Sequence, residues 1–239
     1  MKLAISSAAF DRRLASGDLT QLEWLERCAR TFDVDGVVFH LRHFPRRDRD
    51  YLAQLKKMAV DGGLAVAALD AGSFFADADD EARASILADA STLGAPVVVT
   101  TLPPPGEIPA AAFNEAVRGG KLAARAAKAV NVTIALRNAP GTLGASAADL
   151  KRFAKDVDSA WIRFALDASG LDPQERQALE ARSVIGFARD ATGLAGLRAF
   201  VCYEYDGQQP DEELPALLER RRRELFEGRR PRVPSAYPV

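Results

Sequence analysis

Three short apolar runs end in charge. Val132-Thr133-Ile134-Ala135-Leu136 leads into Arg137 and Asn138, Trp161–Asp167 (WIRFALD) finishes in a carboxylate, and Phe200–Glu204 (FVCYE) finishes in another. A fourth run, Gly36–Leu41 (GVVFHL), carries His40 and leads into Arg42 and His43, and these two histidines are all that the chain has. Carboxylates and an imidazole at such places can move protons near neutral pH, so His40, Asp167 and Glu204 are the candidate acid–base residues. Guanidiniums and an amide bind oxygens, so Arg42, Arg137, Asn138 and Arg189 are the candidate substrate-binding residues. Arg137 also admits a structural reading, as the centre of an ion triad with Asp167 and Glu204, which would otherwise repel each other. A packed, hydrogen-bonded His40 is the corresponding plain alternative. His40 and His43 have no third ligand within sequence reach, and no residue is assigned to a metal.

These ends meet only if the runs are parallel strands of one sheet, whose carboxyl-terminal rim is where α/β folds place their sites. The pattern supports eight such strands: Leu3–Ser7, Gly36–Leu41, Leu64–Asp70, Pro96–Thr101, Val132–Asn138, Trp161–Asp167, Ser183–Arg189 and Phe200–Tyr205. Between them lie segments with helical spacing, among them Leu19–Thr31, Asp50–Asp61, Asp79–Leu93, an Ala-rich helix Ala110–Ala129 interrupted at Gly119-Gly120, Ala147–Asp156 and Pro173–Ala181. A helical turn is expected over Leu194–Leu197, and a final helix over Asp211–Glu227 that stops at Gly228. Apolar strands separated by helices predict an α/β protein with a parallel sheet, and right-handed crossovers make a closed (β/α)8 barrel the natural result, abbreviated around strands seven and eight. An open doubly wound sheet is the alternative. Strand alternation places Arg137, Ala135 and Thr133 inside with Ile134 and Leu136 towards the helices, and likewise Asp167 and Ala165, Glu204 and Cys202, and His40 and Val38 inside. Ser7, His43, Asp70, Thr100, Thr101 and Asp190 are the other polar residues near the expected rim.

Length and composition bound the rest. The 239 residues are 48% hydrophobic, enough for one large core. We expect a single barrel domain over 1–228 and a proline-rich tail over 229–239. With 32 basic and 33 acidic residues the net charge is -1, which predicts no bulk attraction to nucleic acid or to a membrane. The Arg220–Arg223 run reads as a solvated helix face, and Arg42, Arg46 and Arg47 as a solvated basic loop or a phosphate grip. The apolar stretch at the amino terminus is only about seven residues, short for a signal peptide. Cys28 and Cys202 have no metal or redox spacing and read as buried thiols, so a cytoplasmic location is the expectation. The expected partner is a small molecule, and a homo-oligomer is compatible with everything above.

The segment GVVFHLRHFPRRDRDYLAQLKKMAVDGGL, the Asp of FALDASG, the RD after strand seven and the YEYDG after strand eight together resemble the xylose isomerase-like TIM barrels, the sugar-phosphate isomerase/epimerase superfamily. The resemblance spans nearly the whole chain. It implies a divalent metal, often Mn2+ or Mg2+, held by a Glu after strand five, an Asp after strand six, a His on strand seven and a Glu after strand eight, with two acidic ligands moving the substrate's proton. Asp167 and Glu204 match the Asp and the second Glu. Arg137 stands in place of the first Glu and Phe187 in place of the His, and the family's D-x-x-H after strand six is here Asp167-Ala-Ser-Gly170. Two of four ligands are thus absent, and no cofactor is expected. The reading is a sugar-phosphate isomerase/epimerase-like barrel that binds an anionic or polyhydroxylated metabolite at its rim. The anionic form is favoured by the basic residues there. The alternative is a metal-independent isomerase or epimerase using acid–base residues at the strand ends.

Overall fold

Each of the eight apolar runs forms a strand, and the strands pair in chain order into a closed parallel barrel in which β1 meets β8. The computed structural model describes residues 1–74, 78–189, 194 and 197–227. The strands are β1 Lys2–Ser6, β2 Gly36–His40, β3 Ala65–Asp70, β4 Val97–Thr100, β5 Thr133–Arg137, β6 Ile162–Asp167, β7 Ser183–Ala188 and β8 Phe200–Tyr203. Around them run α1 Asp11–Ser16, α2 Gln21–Thr31, α3 Arg49–Asp61, α4 Asp80–Leu93, α5 Pro109–Val130, α6 Ala147–Val157, α7 Pro173–Glu180 and α8 Pro210–Glu227.

Local chemistry sets the helix starts. Thr20 with Glu23, Ser146 with Asp149 and Asp172 with Glu175 form reciprocal capping boxes at α2, α6 and α7, and Asp48 and Asp79 cap α3 and α4. Two features depart from the sequence reading. The chain after β1 makes a 3-10 turn, Ser7–Phe10, and the short helix α1, which no periodicity marks. Helix α5 runs unbroken through Gly119-Gly120. The reason is packing: a Cβ on Gly120 would sit 2.7 Å from Phe153 Cζ and 2.9 Å from Val157 Cγ2, so the glycine admits α6 at close range.

Two apolar layers follow from strand alternation. Inside the barrel lie mostly small residues, Ala4, Val38, Ala67, Ala68, Val99, Ala135, Ala165 and Cys202, joined by Ile185 and Phe187. Outside, Ile134, Leu136, Ile162, Phe164 and Leu166 pack beneath the helices with Trp24, Leu52, Leu87 and Phe153. The expected inward and outward sets are therefore the observed ones. Cys28 and Cys202 are free and buried, and burial pushes both thiols up. Among the described residues no helix is long and apolar enough to cross a membrane. The Gly228 stop, the tail over 229–239 and Asp190 lie outside the described residues.

Candidate functional site

At the carboxyl-terminal mouth Arg137 leaves the end of β5 and lies between the ends of β6 and β8. Its Nη2 donates to Asp167 Oδ2 at 2.5 Å and to Glu204 Oε1 at 2.6 Å, and its Nε donates to the same Asp167 oxygen at 3.1 Å. The guanidinium carbon sits 4.3 Å from the centre of the Phe187 ring on β7, within cation–π range. Burial opposes the charge on Arg137, but Glu204 and Asp167 outweigh it and raise its pKa further, so the cation is permanent. Nη1 makes no hydrogen bond among the described residues and is the one end of the guanidinium left for a ligand.

Asp167 is itself fixed by its neighbours. Its Oδ1 accepts from the amide and the hydroxyl of Ser169 at 2.9 and 2.6 Å. Asn138 is 4% exposed, and its side-chain amide clamps the backbone of Asp167, donating to the carbonyl at 3.1 Å and accepting from the N–H at 2.9 Å. Asn138 thus orders the β5–β6 edge, and both ends of its amide already have protein partners.

The opposite wall is built from β1 and β2. Ser7 is fully buried, and its Oγ accepts from the backbone N–H of His40 at 2.9 Å and lies 2.7 Å from Nδ1 of His43. His43 Nε2 lies 2.7 Å from Asp11 Oδ1. Every group in this chain is satisfied when Nδ1 accepts from Ser7 Oγ and Nε2 donates to Asp11, which is the neutral His43 protonated on Nε2; Arg42 Nε lies 3.3 Å from the same Nε2. Burial lowers the pKa of His43, and the bond from His43 lowers that of Asp11, in keeping with this. A serine, a histidine and a carboxylate in line invite comparison with a nucleophilic triad, but Ser7 has no exposed surface and already serves His40. The chain is a brace under His40. His40 Nδ1 accepts from the Arg42 N–H at 3.3 Å, and burial lowers its pKa too, so a neutral His40 presents Nε2–H.

Two hollows open at the mouth, of about 200 Å³ and 330 Å³, and His40, Asp70 and Arg137 border both. Glu204 and Tyr205 border the first, Thr100, Asn138 and Asp167 the second. The structure thus brings His40, Arg137, Asn138, Asp167 and Glu204 to one place. Two candidates are held by carboxylates of their own. Arg189 is exposed, pairs with Asp206 at 2.8 Å and borders neither hollow. Arg42 borders the first hollow, but its Nε is held 2.8 Å from Asp11 Oδ1. Arg46 and Arg47 pair separately with Asp48 and Asp89, so the three arginines form no phosphate grip. Asp11 and Ser169 were not singled out from the sequence. Ser169 had a signal, since an Asp commonly bonds the backbone two residues on, whereas the role of Asp11 depends on a turn that the sequence does not mark.

A model of the family described as xylose isomerase-like TIM barrel matches residues 26–178, more than half of the chain. The chain belongs to that family. No curated protein matches it at a significant level. Solved structures with the same fold include D-psicose 3-epimerase with D-tagatose from Clostridium cellulolyticum H10, with a TM-score of 0.75 and 14% identity over 94% of this chain and 99% of that one. The probable 3-DHS dehydratase AsbF from Bacillus anthracis gives 0.74 and 14% over 92% and 98%, and the IolI protein with a bound zinc atom 0.73 and 15% over 95% and 99%. At such identities the likeness carries the fold. Arg137 and Phe187, which stand where the resemblance implies a Glu and a His, are in contact with each other. The donor set does not fit a divalent cation. One oxygen each of Asp167 and Glu204 receives the guanidinium, and among the described residues no group of three or more His, Cys, Asp or Glu is placed to hold a metal ion.

Proposed function

We propose that this xylose isomerase-like barrel binds a polyhydroxylated small metabolite at its carboxyl-terminal mouth, with the Arg137 guanidinium in the place of the family's divalent cation. The observation that carries this reading is the Arg137 triad: a fixed cation braced by Asp167, Glu204 and Phe187 at the border of both hollows, with no hydrogen bond to Nη1 among the described residues. The charge count now favours the polyhydroxylated ligand over the anionic one. Arg189 lies outside, Arg42 is engaged by Asp11, and the groups bordering the hollows beside Arg137 include the carboxylates Asp70, Asp167 and Glu204. Three carboxylates border the hollows, and the two cations there, Arg137 and Arg42, are already engaged by carboxylates, which disfavours an oxyanion, while carboxylates accept hydroxyl protons and Arg137 and His40 donate to hydroxyl oxygens. The solved epimerase of the same fold, named for a sugar, is in keeping with this.

A thermal-shift series of neutral sugars and polyols, sugar acids and sugar phosphates tests it. By mass action a neutral ligand at 100 times its Kd stabilises the fold by about 2.7 kcal/mol, whereas the anions should shift the midpoint little. Asp70→Asn should narrow that gap. Sugar phosphates outperforming their neutral analogues would refute the reading. A second reading, a metal-independent isomerase or epimerase, draws on one observation: His40, Asp70 and Glu204 border the same hollow, so a proton donor and two acceptors face one space. Entry of solvent deuterium at carbon into any bound sugar would favour it.

A further inference from the structure

The carboxyl-terminal half of α5 carries charge of one sign. Between Ala116 and Val130 the cations Arg118, Lys121, Arg125 and Lys128 recur at helical spacing with no acid among them, which puts them on one face. Arg118 pairs with Glu115, but the other three have no ion pair or hydrogen bond among the described residues. Like charges three and four residues apart weaken a helix. Lys128, in the last turn, is explained by the helix dipole, but Lys121 and Arg125 are too far from the end for that.

Beside these cations is a hollow of about 250 Å³, closed on its other side by Asp158, Ser159 and Trp161 at the junction of α6 and β6. It lies at the amino-terminal ends of the strands, away from the mouth, since Trp161 directly precedes β6. Three cations against one carboxylate give its lining a net positive charge, and the indole of Trp161, only partly buried, supplies an aromatic wall. A flat ring stacks on an indole, and unpaired cations at its edge suit phosphate oxygens. We propose that this hollow is a second binding site, for a nucleoside phosphate, with the ring against Trp161 and the phosphates against Lys121, Arg125 and Lys128.

Tryptophan fluorescence reads the site directly, because the chain's other tryptophan, Trp24, is fully buried. Titration of the intact protein with ADP should change the emission saturably, and the affinity should fall as salt rises. The double variant Lys121→Ala/Arg125→Ala should bind more than roughly tenfold more weakly, since the loss of even one charge-assisted contact costs about that. Trp161→Phe should remove the signal while calorimetry still detects ADP. Adenosine alone and pyrophosphate alone should each bind more weakly than ADP. No ADP binding at low salt, or binding unchanged in the double variant, would overturn the site. Pyrophosphate binding as tightly as ADP would overturn the role of the ring.

Discussion

On the proposed reading Arg137 puts a cation that cannot lose its proton where the resemblance implies a carboxylate ligand, and Asp167, Glu204 and Phe187 surround it. Asp167 and Glu204 are brought towards one another by the guanidinium, and Phe187 offers the π-face that such a group prefers to an exposed apolar edge. Arg137→Ala should therefore leave two carboxylates facing each other at a mostly buried site and destabilise the fold by about 3–5 kcal/mol in urea unfolding. A loss under about 1 kcal/mol would mean that the pairs behave as exposed ones. The two departures should also be reversible as a pair. Arg137→Glu with Phe187→His puts a carboxylate and an imidazole beside Asp167 and Glu204, and this double variant should take up one Mn2+ or Zn2+ per chain by calorimetry. Neither single change should suffice, because a remaining arginine repels the ion and a remaining phenylalanine leaves three ligands. Absence of metal in the double variant would show that the mouth differs from the family's in backbone as well as in side chains.

The strands were legible because each apolar run has an inward and an outward set that agree, so the register could be read from Arg137, Asp167 and Glu204 alone. The 3-10 turn and α1 after β1 were not, because Ser7–Ser16 is held by Ser7, Asp11 and His43, which meet only once β1 and β2 are paired. Gly119-Gly120 misled for a related reason: intrinsic propensity counts glycine as a helix breaker, while here its lack of a side chain is what α6 requires. The two glycines should separate experimentally. Gly120→Ala forces a Cβ against the Phe153 ring and should destabilise by about 1–3 kcal/mol. At Gly119 the nearest atom is the guanidinium tip of Arg83, 3.2 Å away, a group able to shift, so Gly119→Ala should be neutral or gain up to about 1 kcal/mol from helix propensity. Equal losses at both positions would place the α5–α6 contact elsewhere.

The barrel as a whole inherits a pH dependence from its two histidines, since both lie in the brace that joins β1 to β2. Burial lowers the pKa of each below the ordinary value of about 6.5, against the opposing pull of Asp70 on His40 and of Asp11 on His43. The unfolded chain then binds more protons than the folded one just below that value, so stability is complete above about pH 6.5 and falls as pH drops through the window beneath it. The structural cause is specific: a proton on Nδ1 of His43 would face Ser7 Oγ, which already accepts from the His40 N–H, and the serine's own proton would lose its acceptor inside the core. The lowered pKa of Asp11 acts in the opposite part of the scale, below its ordinary value near 3.8, and does not enter this window. Melting temperature should therefore fall steadily from pH 7 to pH 5.5, and the slope should flatten in a His40→Gln/His43→Gln double variant even if that variant melts lower at every pH. A wild-type profile that is flat over this range would mean that the histidines titrate as they do in the unfolded chain, and the neutral Ser7–His43–Asp11 chain would have to be given up.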